Sequence, residues 1–258
     1  MRGLDRRAIS ICAVVALGGA CSKSTEGSSV EPTAHQGDRH EHGTHGHGGH
    51  GAQPSADHDG SGHHRHHRFE DADEWAKQFD DPSRDEWQQP QAVVDFIALA
   101  DDAVIADLGA GTGYFAVHFA RAVPQGVVLA NDIEPDMVRY LGERAEREGL
   151  PNLEAVQGQA DDPALPQPVD VAFMCNVYHH IANPTAFFER VVDSLEPGGR
   201  VVIVEFRKDA DEGIPGPPPA MRIAQDRLVE QLGEVGLVLA RSDRESLPHQ
   251  YIVELVKK

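Results

Sequence analysis

Three cysteines in 258 residues exclude a disulfide-stapled scaffold, since Cys12 and Cys21 lie in or beside an apolar leader and leave Cys175 without a partner. Basic residues are also scarce. Lys and Arg number 23 against 42 Asp and Glu, a formal charge of −19 with histidines neutral, which opposes attraction to DNA, RNA or an anionic membrane surface. No apolar run is long enough to span a bilayer; the leader's stretch, residues 9–20, covers twelve positions. Aromatics are only 6 % of the chain, yet both tryptophans, Trp75 and Trp87, fall in one short acidic segment.

What is present divides the chain into four parts. Arg2, Arg6 and Arg7 precede the apolar stretch, which ends in Leu17-Gly18-Gly19-Ala20-Cys21, so residues 1–20 have a signal-peptide pattern. Cys21 resembles the lipid-modified cysteine of bacterial lipoproteins, although Leu17 stands one residue further upstream than usual. That resemblance implies a lipid anchor at Cys21 and a place in the bacterial cell envelope; an unprocessed leader implies the cytoplasm. Residues 21–68 hold eleven of the fifteen histidines among Gly, Ser and Asp, and cannot build a core. His42, His45, His47, His50, His63, His64, His66 and His67 are the candidate ligands there for Zn, Ni or Cu, gathered by a flexible backbone; the alternative is a pH-responsive tether with no metal role. Residues 69–89 carry Trp75, Phe79 and Trp87 amid acids. They are expected to fold back as a helical lid over a ligand pocket, or else to dock their aromatics on a bare helix. Residues 90–258 suffice for one α/β core.

The chemistry is concentrated between residues 104 and 133. Val-Ile-Ala-Asp-Leu runs into Gly109-Ala110-Gly111-Thr112-Gly113 and then a helix, so a ligand can lie directly against the backbone of the turn. Asp107 precedes the first glycine by two residues, where a carboxylate can meet a cationic amine. Nineteen residues after Gly113, a second apolar run ends at Asp132, placed to accept the hydrogens of a ribose diol. The dinucleotide pattern G-x-G-x-x-G fails, because counted from Gly109 its third glycine falls on Tyr114, and counted from Gly111 it falls on Ala116 and leaves Gly113 and Asp107 unexplained. The observed D-x-G-x-G-x-G resembles the first motif of class I S-adenosylmethionine-dependent methyltransferases.

The order of the remaining elements is similar to that family over residues 90–256. A helix begins at Pro135 and stops at Gly149, and a short strand covers residues 153–157. A loop then leads to a buried strand over 169–174, a helix capped by Asn183-Pro184, an apolar strand over 200–206, a helix over about 221–232, and two last strands near 236–240 and 251–256. The resemblance implies a Rossmann-like doubly wound α/β sheet, mostly parallel with a C-terminal antiparallel strand. It assigns Asp107, Gly109, Ala110, Gly111 and Gly113 to the methionine end of S-adenosyl-L-methionine, Asp132 to the ribose and Ile133 to one adenine face. The adenine edge falls to Gln159 or, with a shifted loop, to Asp161.

Asn176 lies after the fourth strand and resembles residues that touch the cofactor's methionine end. Tyr178 and His179 follow, able to orient or deprotonate an acceptor hydroxyl, or simply to pack beside the next helix. The implied activity is methyl transfer to a small-molecule acceptor, with no nucleic acid involved. The Asn-Pro-Pro-Tyr motif of many amino-group methylators and the multiple thiols of arsenite methyltransferases are both missing. Two other classes are weighed beside it: a metal-binding lipoprotein with a non-catalytic fold, and a nicotinamide-dependent oxidoreductase, which Gly113 and Tyr114 disfavour. Neither the acceptor nor the oligomeric state is written in the sequence.

Overall fold

A computed structural model describes residues 71–211 and 213–258. The leader, Cys21 and the whole histidine tract lie outside the described residues. Seven strands form one sheet: β1 (Val104–Leu108), β2 (Val127–Asp132), β3 (Leu153–Gln157), β4 (Val169–Cys175), β5 (Leu195–Phe206), β6 (Leu237–Asp243) and β7 (Gln250–Lys257). Their spatial order is β3-β2-β1-β4-β5-β7-β6, and β7 runs antiparallel to both β5 and β6. This is the doubly wound sheet with an inserted last strand that the element order implies.

Among the described residues seven α-helices accompany the sheet: α1 (Ala72–Phe79), α2 (Arg84–Gln88), α3 (Pro90–Ile97), α4 (Tyr114–Ala122), α5 (Pro135–Glu148), α6 (Pro184–Asp193) and α7 (Gln225–Gly233). Helices α3, α4 and α5 bury Ile97, Phe115, Phe119 and Leu141 against one face, together with Ile105, Val128 and Phe173 of the strands. Helices α6 and α7 cover the other face through Phe188, Val191, Leu228 and Leu232. With both faces covered, the central strands β1 and β4, and β5 over residues 201–206, are largely apolar.

Two expected boundaries move. Strand β5 begins at Leu195, five residues early, because Leu195 pairs with Val169 and the register then jumps to Val171–Arg200 across Pro197-Gly198-Gly199. The helix expected from about 221 starts only at Gln225. Upstream of it, Arg222 is buried and donates to the carbonyls of Pro217, Ala210 and Asp211, so that stretch is spent on holding the Pro-rich loop together. Parallel strands with crossover helices leave a crevice beyond their C-terminal ends where the strand order reverses, here between β1 and β4.

Candidate cofactor site

At that crevice the chain leaves β1 through Gly109, Gly111 and Gly113, with φ of +72°, +57° and +90°. A Cβ on Gly109 would lie 2.6 Å from a Val177 methyl, and one on Gly113 would lie 2.7 Å from Leu141. Those two glycines are therefore demanded by the fold. A Cβ on Gly111 would find the Phe79 ring only at 3.6 Å, so positive φ and the open approach define that position. The backbone N–H groups of Gly109 and Ala110 both donate to the Asn131 carbonyl, at 2.8 and 2.9 Å, tying the turn to the end of β2.

Asp107 is buried, 3 % exposed, and its Oδ2 has no hydrogen-bond partner. Burial pushes its carboxyl up to about 7, against the pull of Arg84 and of the Ala116 N–H, with Asp132 adding to the rise. A carboxylate at a strand end with an unused oxygen is a waiting acceptor for an ammonium group. Asp132 is buried too, and burial raises its carboxyl although it accepts from the Glu134 and Gly111 N–H groups, at 3.0 and 2.8 Å. It thus pins the glycine turn, and each oxygen keeps lone-pair capacity for a diol. Ile133, next in sequence, is 47 % exposed, an apolar face left open beside the acid.

Gln159 and Asp161 are both exposed, in a turn where the Gln159 N–H donates to the Asp162 carbonyl at 2.8 Å. Asn176 adopts positive φ (+59°) and sits in a ring of amides. Gln88 donates to Gln250 at 2.7 Å, Gln250 to Asn176 at 2.7 Å, and Asn176 back to Gln88 at 3.4 Å. Both glutamines are fully buried.

His179 and Tyr178 separate. The His179 Nδ1 lies 3.1 Å from Glu205, a wholly buried carboxylate in the otherwise apolar end of β5. The Tyr178 hydroxyl instead donates to Gln231 of α7, its ring packs in the α6 face of the core, and burial pushes the phenol up to about 12. The short 3-10 turn Tyr178–His180 sends the two neighbouring side chains in different directions, His179 to β5 and Tyr178 into the α6 face of the core.

Residues 71–89 lie against the turn. Phe79 faces Gly111, Asp80 accepts from Thr112 Oγ1 at 3.0 Å and pairs with Arg144 at 2.7 Å, and the Ala72 N–H donates to Asp136. Trp87 packs on Phe206 with ring centroids 5.6 Å apart. Arg84, Gln88, Glu205 and Gln250 are the polar groups that sequence reading missed. Only Glu205, a lone acid in Val-Val-Ile-Val-Glu-Phe, carried a visible signal. A cavity of about 310 Å³ beyond β5, between Arg207, Arg244, Gln225 and Tyr251, includes none of the expected site residues. Among the described residues no cluster of three or more His, Cys, Asp or Glu could hold a metal ion.

Comparison with known proteins bears on this geometry. Residues 105–199 match a family model described as a methyltransferase domain. The chain is 34 % identical over 119 residues to tRNA U34 carboxymethyltransferase of Desulfotalea psychrophila, covering 45 % of this chain and 34 % of that protein. It is 33 % identical over 116 residues to trans-aconitate 2-methyltransferase of Rhodopseudomonas palustris, covering 45 % and 43 %. The chain thus spans less than half the length of these two relatives. A solved structure of a SAM-dependent methyltransferase from Aquifex aeolicus superposes with a TM-score of 0.65 at 26 % identity, over 70 % of this chain and 96 % of that one. The domain match, the relatives and the sheet together support a domain of the S-adenosylmethionine-dependent methyltransferase type, built on the Rossmann-like fold of such proteins.

Proposed function

We propose that the whole chain is an S-adenosylmethionine-dependent methyltransferase acting on a small-molecule acceptor. The observation that carries the reading is the unpartnered Asp107 Oδ2 beside a backbone cradle, with Asp132 and the exposed Ile133 at the adjoining strand end. These groups fit, in order, an ammonium, a ribose diol and a purine face. Bound there, the cofactor supplies a methyl group already activated by a positive sulfur.

The protein's work is then placement and exclusion of water. Asp107 accepts from the amine and Asp132 from the ribose, while Phe79 and Trp87 of the 71–89 segment shield the crevice. His179 is the candidate base for an acceptor hydroxyl. Glu205, accepting from Nδ1–H, leaves Nε2 free to take the proton. The formal charge of −19 favours a small acceptor over a nucleic acid, although one relative carries tRNA in its name.

Calorimetric titration of the full chain with S-adenosylmethionine, using NAD as the comparison, tests this. Saturable binding of the first alone is expected; no binding of it overturns the reading. The leader supports a lipid anchor at Cys21 in the cell envelope, where acyl labelling lost in Cys21→Ala is the expected result. For the histidine tract, Zn, Ni or Cu binding remains a proposal resting on composition alone, tested by metal titration of the full chain against one with the tract removed.

A further inference from the structure

Two buried polar atoms near the turn lack partners and have opposite character: Asp107 Oδ2 and Arg84 Nε. Arg84 comes from α2, outside the region that matches the methyltransferase model. Its guanidinium is stacked 4.0 Å above the ring of Tyr114, the first residue of the helix that follows the glycine turn. One terminal nitrogen donates to the Phe79 carbonyl at 2.8 Å, and the other reaches Gln88 only at 3.4 Å. Stacking and the short bond fix the plane of the fork and leave donor capacity unused.

The neighbouring cations have no such capacity. Arg144 is taken up by Asp80 at 2.7 Å, Glu148 at 2.8 Å and the Thr112 carbonyl. Arg139 is shared among Asp73, Asp136 and Glu143. Arg84 forms no ion pair among the described residues, yet its positive charge favours the ionised forms of both Asp107 in β1 and Cys175 in β4. A half-buried arginine whose buried Nε lacks a partner, near a buried aspartate whose Oδ2 lacks one, matches the two charges of a zwitterion.

Resting on the cofactor reading above, we infer that Arg84 binds the α-carboxylate of the cofactor's amino-acid end while Asp107 holds its α-amino group. Without Arg84, that carboxylate would enter a crevice lined by Asp107 and Asp132 with no positive charge to offset the loss of water. The segment carrying Arg84 is then part of the binding site as well as a cover, because the same guanidinium grips Phe79, whose ring faces Gly111.

The test compares S-adenosylmethionine with 5′-methylthioadenosine, which keeps the nucleoside and a thioether but lacks the amino acid. Titration of the full chain should show that Arg84→Met weakens S-adenosylmethionine by about tenfold to a hundredfold, the scale of one charge-assisted hydrogen-bonded contact. The thioether nucleoside should bind as before. Arg84→Lys should fall between, keeping the charge and losing the fork; it also serves if the methionine variant does not fold. Equal weakening of both ligands overturns the inference in favour of a purely structural arginine, as does an unchanged affinity for S-adenosylmethionine. If the unmodified protein binds the nucleoside but not S-adenosylmethionine, the headgroup assignment fails; if it binds neither, the cofactor reading fails and takes this inference with it.

Discussion

Replacing Asp107 by asparagine should uncouple stability from binding, and the size of the effect follows from the site. In the folded protein burial raises the carboxyl from its ordinary 3.8 to about 7. The folded state therefore holds a proton that the unfolded chain has already released, and stability falls as pH rises through this window. At 1.36 kcal/mol per pKa unit, the wild-type protein should lose about 4 kcal/mol of stability between pH 4 and pH 8 through this one group. Asp107→Asn cannot ionise and is exempt. Its amide still accepts from the Ala116 N–H, but its NH2 takes the place of the unpartnered oxygen at a cost of about 1–3 kcal/mol that does not vary with pH. The informative quantity is therefore the stability difference between the two proteins as a function of pH. Urea unfolding at pH 4.5, 6, 7 and 8, without ligand, should show that difference growing in favour of the variant by several kcal/mol. Parallel profiles would refute the reasoning. The same substitution should weaken S-adenosylmethionine at pH 8, where the wild-type carboxylate is charged. Wild-type affinity itself should rise with pH through about 7, because binding an ammonium requires Asp107 to give up its proton.

Other expectations concern the turn, the ribose acid and the histidine. Asp132→Ala should raise the dissociation constant for S-adenosylmethionine at least about tenfold, since it removes both a diol acceptor and the anchor of the Gly111 N–H; an unchanged constant in the titration would remove the ribose assignment. Gly113→Ala should cost about 1–3 kcal/mol in thermal or urea unfolding, from positive φ and the approach to Leu141, whereas Gly149→Ala, with open space around its Cβ, should cost less. Once an acceptor hydroxyl substrate is known, His179→Ala should lower kcat by about 10²–10⁴ and Glu205→Gln by less, both with the cofactor dissociation constant unchanged; Tyr178→Phe should leave kcat near wild type.

The parts of the fold legible in the sequence are those that local chemistry decides. The glycine turn announces itself because positive φ and backbone contact admit few residues. The boundaries of α5 follow from Pro135 and Gly149, and the start of α6 from Asn183, whose side chain accepts from the Ala186 N–H. The misplaced start of α7 shows the limit. Met221 to Ala224 has nothing against helix in its composition, but the buried Arg222 is claimed by three distant carbonyls. The site follows the same division. Asp107 and Asp132 are set by the strands that carry them, whereas Arg84, Gln88 and Gln250 meet only after segments as far apart as residues 88 and 250 have come together. No local pattern marks such residues. Chemistry favours His179 over Tyr178 as a base, but the sequence does not tell which way either side chain points, because a 3-10 turn, unlike a strand or an α-helix, gives no period from which to read it.

The ring of amides joining Gln88, Asn176 and Gln250 has a consequence for the order in which the protein is made. Its three members are synthesised in the order Gln88, Asn176, Gln250, and β7, which brings Gln250 and is made after β6, must fit between β5 and β6. On the ribosome, a chain that has already produced the glycine turn and both acids still lacks the strand that holds Asn176 and Gln88 in place. A chain made only as far as β6 therefore displays the glycine turn and both acids before the amide ring can close.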